Sequence, residues 1–127
     1  MTEAVADPTL NTVTWWEIPV QDLDKAKTFY TAVFDWSYTP FGEGYEGILA
    51  GETMIGGLSA SGPEDVGDGI RIYVQVDDME AVFAKVESNG GAIKTPRTEI
   101  GGDMGWWGNF TDPEGRIVGL ATNNAAS

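Results

Sequence analysis

Two oppositely charged side chains, Glu17 and Arg71, each sit inside a short alternating apolar run, and each has an aromatic residue two positions away, Trp15 beside Glu17 and Tyr73 beside Arg71. Strand side chains alternate between faces, so Trp15 and Glu17 share one face, against Trp16, Ile18 and Val20 on the other. Arg71 and Tyr73 share a face in the same way, against Ile72, Val74 and Val76. An aromatic wall with one carboxylate and one guanidinium suits a small polar or aromatic molecule. Arg71 can grip a carboxylate or phosphate through two parallel hydrogen bonds, Glu17 can accept from a hydroxyl or amine, and Trp15 can stack. The same pair supports proton-transfer chemistry, with Glu17 as general base and Arg71 stabilising a developing oxyanion. A plainer reading is that the two charges neutralise one another. Trp106 and Trp107 follow a glycine-rich approach, so one should face the pocket and one the core. Phe41, Tyr45 and Met54 are candidates for the pocket mouth.

Composition removes several alternatives. The chain has no His and no Cys, which excludes a Ser-His couple, thiol chemistry, disulfides and cysteinyl metal sites. No lysine stands in an apolar context that suggests a Schiff-base nucleophile. Gly42-Glu43-Gly44 and Gly56-Gly57 are not followed by the helix a phosphate-binding glycine loop requires. Asp77-Asp78 reads as helix capping before it reads as a metal-binding pair. A carboxylate-only metal site would need Glu17 with Glu46 or Glu52 and would suit hard ions. The net charge of −13 opposes nucleic acid and anionic lipid partners. No apolar run reaches the roughly 18 residues of a membrane span. The start, Met1-Thr2-Glu3-Ala4, lacks a secretory pattern, and the expected location is cytoplasmic.

The elements that must position these residues occur twice. Ile18-Pro19-Val20-Gln21-Asp22-Leu23 and Val74-Gln75-Val76-Asp77-Asp78-Met79 are the same junction, an alternating run stopped by a capping acid and followed by an amphipathic segment. The first half reads as a strand over 13–20 and a helix to about Asp35 with Leu23, Ala26, Phe29, Tyr30, Val33 and Phe34 on its apolar stripe. Strands near 36–41, 45–50 and 53–60 follow. The second half reads as a strand over 70–76, a helix over 79–89 ended by Gly90-Gly91, and strands near 92–97, 105–111 and 116–121. Asp112-Pro113-Glu114-Gly115 is a turn. Each half is βαβββ within one α+β domain, module one at about 12–60, a turn-rich linker over 61–69 and module two at about 70–123. Both termini are expected to fray.

This order of motifs, with Asp24-Lys25-Ala26-Lys27-Thr28-Phe29-Tyr30 leading to Phe34-Asp35-Trp36, and the Ile55-Gly56-Gly57 strand, resembles the vicinal oxygen chelate superfamily. That is the glyoxalase, bleomycin-resistance and extradiol-dioxygenase group. The resemblance implies two βαβββ modules forming a cupped eight-stranded sheet around a small-molecule pocket, often in a homodimer. In metalloenzymes of the group, ligands stand at positions that fall here on Trp15, Arg71 and Gly119, with a further one near Ile55-Gly56-Gly57. None of these is an ordinary metal ligand: an indole nitrogen only donates, a guanidinium stays protonated, and glycine has no side chain. The expectation is therefore a binding protein with no metal and no cofactor, similar to the sequestering bleomycin-resistance members. Alternatives are a glyoxalase-like lyase or isomerase and a non-catalytic scaffold subunit.

Overall fold

The computed structural model describes residues 7–60 and 69–126, so the linker over 61–68 and the chain start lie outside the described residues. The described residues hold eight strands of a mixed sheet and two helices, an α+β fold in the expected order βαβββ-βαβββ. The chain divides into two compact units, one spanning Trp15–Arg71 and the other made of the described residues of Met1–Thr14 and Ile72–Ser127.

In the first unit, β1 (Val13–Pro19) leads into α1 (Leu23–Phe34) and then β2 (Ser37–Pro40), β3 (Tyr45–Ala50) and β4 (Thr53–Ser59), in sheet order β2-β3-β4-β1. The closing β1–β4 pair is parallel and sets Glu17 level with Gly57, while the antiparallel β3–β4 pair sets Gly57 level with Gly47. α1 starts because Asp22 keeps an extended backbone and its carboxylate accepts from Lys25 N–H at 3.0 Å. It ends where Asp35 turns left-handed at φ 64 and donates its N–H to the Thr31 carbonyl, a glycine's task done by an aspartate. Ile48 and Leu58, both fully buried, anchor the sheet. At roughly 2 kcal/mol each, their burial is a large share of what holds so small a unit.

The apolar stripe of α1 is narrower than the sequence suggests. Leu23, Ala26 and Tyr30 are half-buried. Phe29, Val33 and Phe34 are 57%, 52% and 56% exposed. At 100° per residue Phe29 and Val33 fall on the flank of that stripe, and Phe34 lies on the helix's last turn. Ile72, expected against a helix, is likewise 40% exposed.

The second unit repeats the plan with β5 (Arg71–Gln75), α2 (Met79–Ser88), β6 (Ala92–Glu99), β7 (Trp106–Thr111) and β8 (Ile117–Thr122), in order β5-β8-β7-β6. Asp78 caps α2 by accepting from Ala81 N–H at 3.0 Å, while the Asp77 carboxylate accepts from Asn124 Nδ2. Met79 and Phe83 from α2 close on Val76 and Leu120, with Val74, Val82, Trp106 and Phe110 around them. Gly90, at φ 96, turns the chain out of the helix so that Gly91 N–H reaches the Val86 carbonyl.

The described residues near either end are tied down rather than frayed. Asn11 N–H donates to the Gln75 carbonyl at 2.7 Å, and Gln75 N–H to that of Thr12 at 2.9 Å. At the other end Thr122 is 1% exposed. Asn124 Nδ2 donates to the Asp77 carbonyl and carboxylate at 3.0 and 2.7 Å. Arg97 then grips Glu80 with two hydrogen bonds of 2.8 and 2.6 Å, donates to the Asn124 carbonyl at 2.8 Å and lies 5.1 Å over the Trp106 ring. Small polar residues can hold a terminus by hydrogen bonding with nothing to bury.

The Arg97 guanidinium holds the Glu80 carboxyl below its ordinary value of 4.5. A carboxylate with a depressed folded value adds stability that is complete above its unfolded value and is lost as pH falls through the folded one. Half-exposed Glu80 limits the pair to about 1 kcal/mol. Arg97→Met should therefore lower stability by about that much near neutrality. In urea titrations across pH, the difference from the parent should shrink below about pH 4.5, leaving the part due to Trp106 and the Asn124 carbonyl. A difference that does not change with pH would rule the ion pair out as its source.

Candidate ligand-binding face

In the first unit Trp16 points to the α1 side, where its ring centroid lies 6.0 Å from that of Trp36 and its rings cover Gly56. By alternation Trp15 and Glu17 present the opposite face of β1. Across that face runs the in-register row Glu17, Gly57 and Gly47, a carboxylate followed by two positions without side chains. The bare backbone is covered from β3, its approach loop and the start of β4. The Tyr45 phenol lies on Gly57, and Phe41 and Met54 lie on Gly47. A Cβ at Gly57 would meet the Tyr45 hydroxyl head on, so only glycine allows the ring this close.

Tyr45 ties the face together. Its hydroxyl accepts from Trp15 Nε1 at 2.8 Å and donates to Glu17 Oε2 at 2.8 Å. Glu17 is only 8% exposed, and a carboxylate so far from water requires donors of this kind. Phe41 and Met54, at 40% and 38% exposure, form the open side of the patch. Trp15, Glu17, Phe41 and Met54 are thus brought to one face. Tyr45, expected only at the mouth, is its hydrogen-bonding centre. Arg71, 7% exposed, opens β5 at the end of the same unit.

In the second unit Tyr73 stands level with Gly119 on β8, and Gly119 with Asn109 on β7. The Tyr73 ring fills the space a Gly119 side chain would need. Trp106 packs into the α2 core beneath Arg97, so it is a structural residue and not one of the open face. Trp107 is therefore on the face away from α2, with Asn109 two residues on. Asn109 is 2% exposed, and among the described residues its Oδ1 has no hydrogen-bond partner. The sequence carried a signal for it, a polar residue in step with Trp107 on a strand whose other face is core.

These residues do not fit a metal ion. The Trp15 nitrogen is spent donating to Tyr45, and tyrosine rings occupy the side-chain space over Gly57 and Gly119. Glu46 points to the α1 side, 3.7 Å from Lys27 Nζ, and cannot join Glu17. Among the described residues no three His, Cys, Asp or Glu converge. The carboxylate-only site is not formed, and no chemical step through a metal follows.

The sequence profile of the Glyoxalase/Bleomycin resistance protein/Dioxygenase superfamily matches residues 9–119, and the chain belongs to that superfamily. It is 36% identical over 117 residues to proteins named putative glyoxylase CFP32 from Mycobacterium bovis and Mycobacterium tuberculosis, covering 86% of this chain and 44% of theirs. The chain thus spans less than half the length of those curated relatives. Among solved structures, the Mn(II)-bound glyoxalase of Novosphingobium aromaticivorans superposes with a TM-score of 0.65 at 18% identity, over 92% of this chain and 40% of that one. Methylmalonyl-CoA epimerase of Mycobacterium tuberculosis does so with 0.61 at 15%, over 96% and 94%. At these identities the structures share the fold, and the fold alone does not supply a reaction.

Gly57→Ala should push the Tyr45 phenol off its seat, at a cost of about 1–3 kcal/mol. In the amide NMR spectrum the Trp15 indole N–H should move upfield as it loses its acceptor. Gly56→Ala, whose methyl meets Trp16 instead, should destabilise the unit and leave that resonance in place. Equal effects of the two on the Trp15 signal would refute this assignment of the seat.

Proposed function

We propose that the chain is a metal-independent small-molecule-binding member of its superfamily, sequestering or recognising a small polar or aromatic ligand, and that it works as a cytoplasmic homodimer. The observation that carries this reading is the Trp15–Tyr45–Glu17 hydrogen-bond chain standing on a glycine floor beside exposed Phe41 and Met54. Hydrophobic walls with a few placed polar groups are the usual make-up of a small-ligand site. Arg71 is a further candidate contact in that unit, and Tyr73 and Trp107 are candidate ligand contacts of the second unit taken by itself. The strongly acidic surface argues against nucleic acid as partner, and among the described residues no helix is long and apolar enough to cross a membrane.

A thermal-shift panel of aromatic, cationic and carboxylate-bearing compounds should yield stabilisers. Ligand at 100 times its dissociation constant adds about 2.7 kcal/mol. Elemental analysis of protein purified without chelator should find no stoichiometric metal, and light scattering should give twice the chain mass. A flat panel, or bound metal lost together with ligand response on chelation, would sink the reading.

A second reading is a lyase or isomerase with Glu17 as general base and Arg71 stabilising an oxyanion. It is favoured by the putative glyoxylases at 36% identity and by a buried carboxylate already in a hydrogen bond with a hydroxyl. If it holds, Glu17→Gln should lower kcat on a turned-over substrate by about 100-fold or more with KM little changed. Unaltered turnover in that variant would remove Glu17 from the chemistry.

A further inference from the structure

The seat between Trp15 and Glu17 is occupied by a phenol that belongs to the protein. The Tyr45 hydroxyl accepts from the indole and donates to the carboxylate, each at 2.8 Å, while its ring lies on Gly57 with the Phe41 centroid 6.4 Å away. The residue sits at the first position of β3, just after Gly42 and Gly44, both in left-handed conformations at φ 127 and 79.

We infer that Tyr45 is an internal stand-in for the ligand, and that the ligand class is a phenol, whose hydroxyl replaces that of Tyr45 between Trp15 Nε1 and Glu17 Oε2. The inference rests on the reading of this face as a small-molecule site and narrows it by donor and acceptor matching. One atom must accept from an indole N–H and donate to a carboxylate. An ammonium donates but has nothing to offer the indole. A carboxylate accepts but has no proton to give to Glu17. An aryl ether accepts and has no proton to give. An aliphatic alcohol has the right hydroxyl but no ring to lay against Trp15 and Phe41. A phenol meets every term, as Tyr45 itself does. Its two hydrogen bonds replace the two that Tyr45 gives up, so exchange depends on the packing of the incoming ring.

Calorimetric titration of the full chain and of Tyr45→Phe with p-cresol, 4-methylanisole, benzylamine and benzoate tests this. Among the four, p-cresol should bind the parent most tightly. Tyr45→Phe removes the competing hydroxyl and keeps the ring, so it should bind p-cresol roughly tenfold more tightly than the parent does. A cooperative melt of the variant shows that it is folded. Weaker binding of p-cresol by Tyr45→Phe would make Tyr45 a ligand contact and overturn the inference, as would 4-methylanisole binding as well as p-cresol. Binding of benzylamine or benzoate without p-cresol would overturn the phenol class and leave the small-molecule reading standing. If none of the four binds at millimolar concentration, the phenol class falls, and the wider thermal-shift panel decides the small-molecule reading separately.

Discussion

The close approach of a tyrosine ring to a glycine backbone organises this protein at its candidate site. On β4 the missing side chain of Gly57 lets the Tyr45 phenol lie against the sheet, which places one oxygen within 2.8 Å of both an indole nitrogen and a nearly buried carboxylate. The parallel β1–β4 register brings Glu17 level with that glycine, and the β3–β4 register brings Gly47 level on the other side. Were any of these three positions shifted by one residue, the carboxylate and the ring would stand on opposite faces of the sheet. Glu17 would then be buried without its donor, a loss of several kcal/mol.

The same arrangement accounts for the poor fit of these positions to a metal ion. Gly119 on β8 is covered by Tyr73 just as Gly57 is covered by Tyr45. In each unit a ring has taken the volume into which a liganding side chain would project. The replacement is chemically coherent. A metal site gathers lone pairs, and losing one ligand leaves the others as exposed donors seeking partners. Here the groups instead form a donor-to-acceptor sequence, indole to phenol to carboxylate, in which every member meets its complement.

Much of this was legible from residue order. The repeated junction places both helices, Asp22 and Asp78 take the capping roles that their positions imply, and the alternation about Trp15 and Trp16 assigns the two indoles to opposite faces. What was not legible depended on contacts remote in sequence. Tyr45 becomes the hydrogen-bonding centre only because β3 pairs with β4 and β4 with β1, a register that no local pattern encodes. Trp106 belongs to the core because Gly108 and Phe110 lie on its side against α2, whereas the glycines before it hid the phase of the strand. The tail looked unanchored because its described anchors include hydrogen bonds between residues remote in sequence, from Asn124 to Asp77 and from Arg97 to Asn124. Apolar periodicity is blind to both.

A site built on hydrogen bonds differs from a metal centre in how it exchanges its occupants. Metal ligands are fixed by coordination geometry and leave only with the ion or with substantial rearrangement of the shell. The Tyr45 hydroxyl bonds to the indole and to the carboxylate, hydrogen bonds whose net worth is about 1 kcal/mol each, and its side chain turns about single bonds over the bare backbone of Gly57. An incoming group that restores both bonds therefore meets a small net polar cost. Discrimination then passes from the polar atoms, which any suitable hydroxyl can satisfy, to the walls. The open flank of Phe41 and Met54 tolerates variation in ring size more readily than a closed pocket would, because Met adapts its shape at little cost. On the proposed reading, the strand register positions the polar groups, the glycines supply the room, and the aromatic rim decides what fills it.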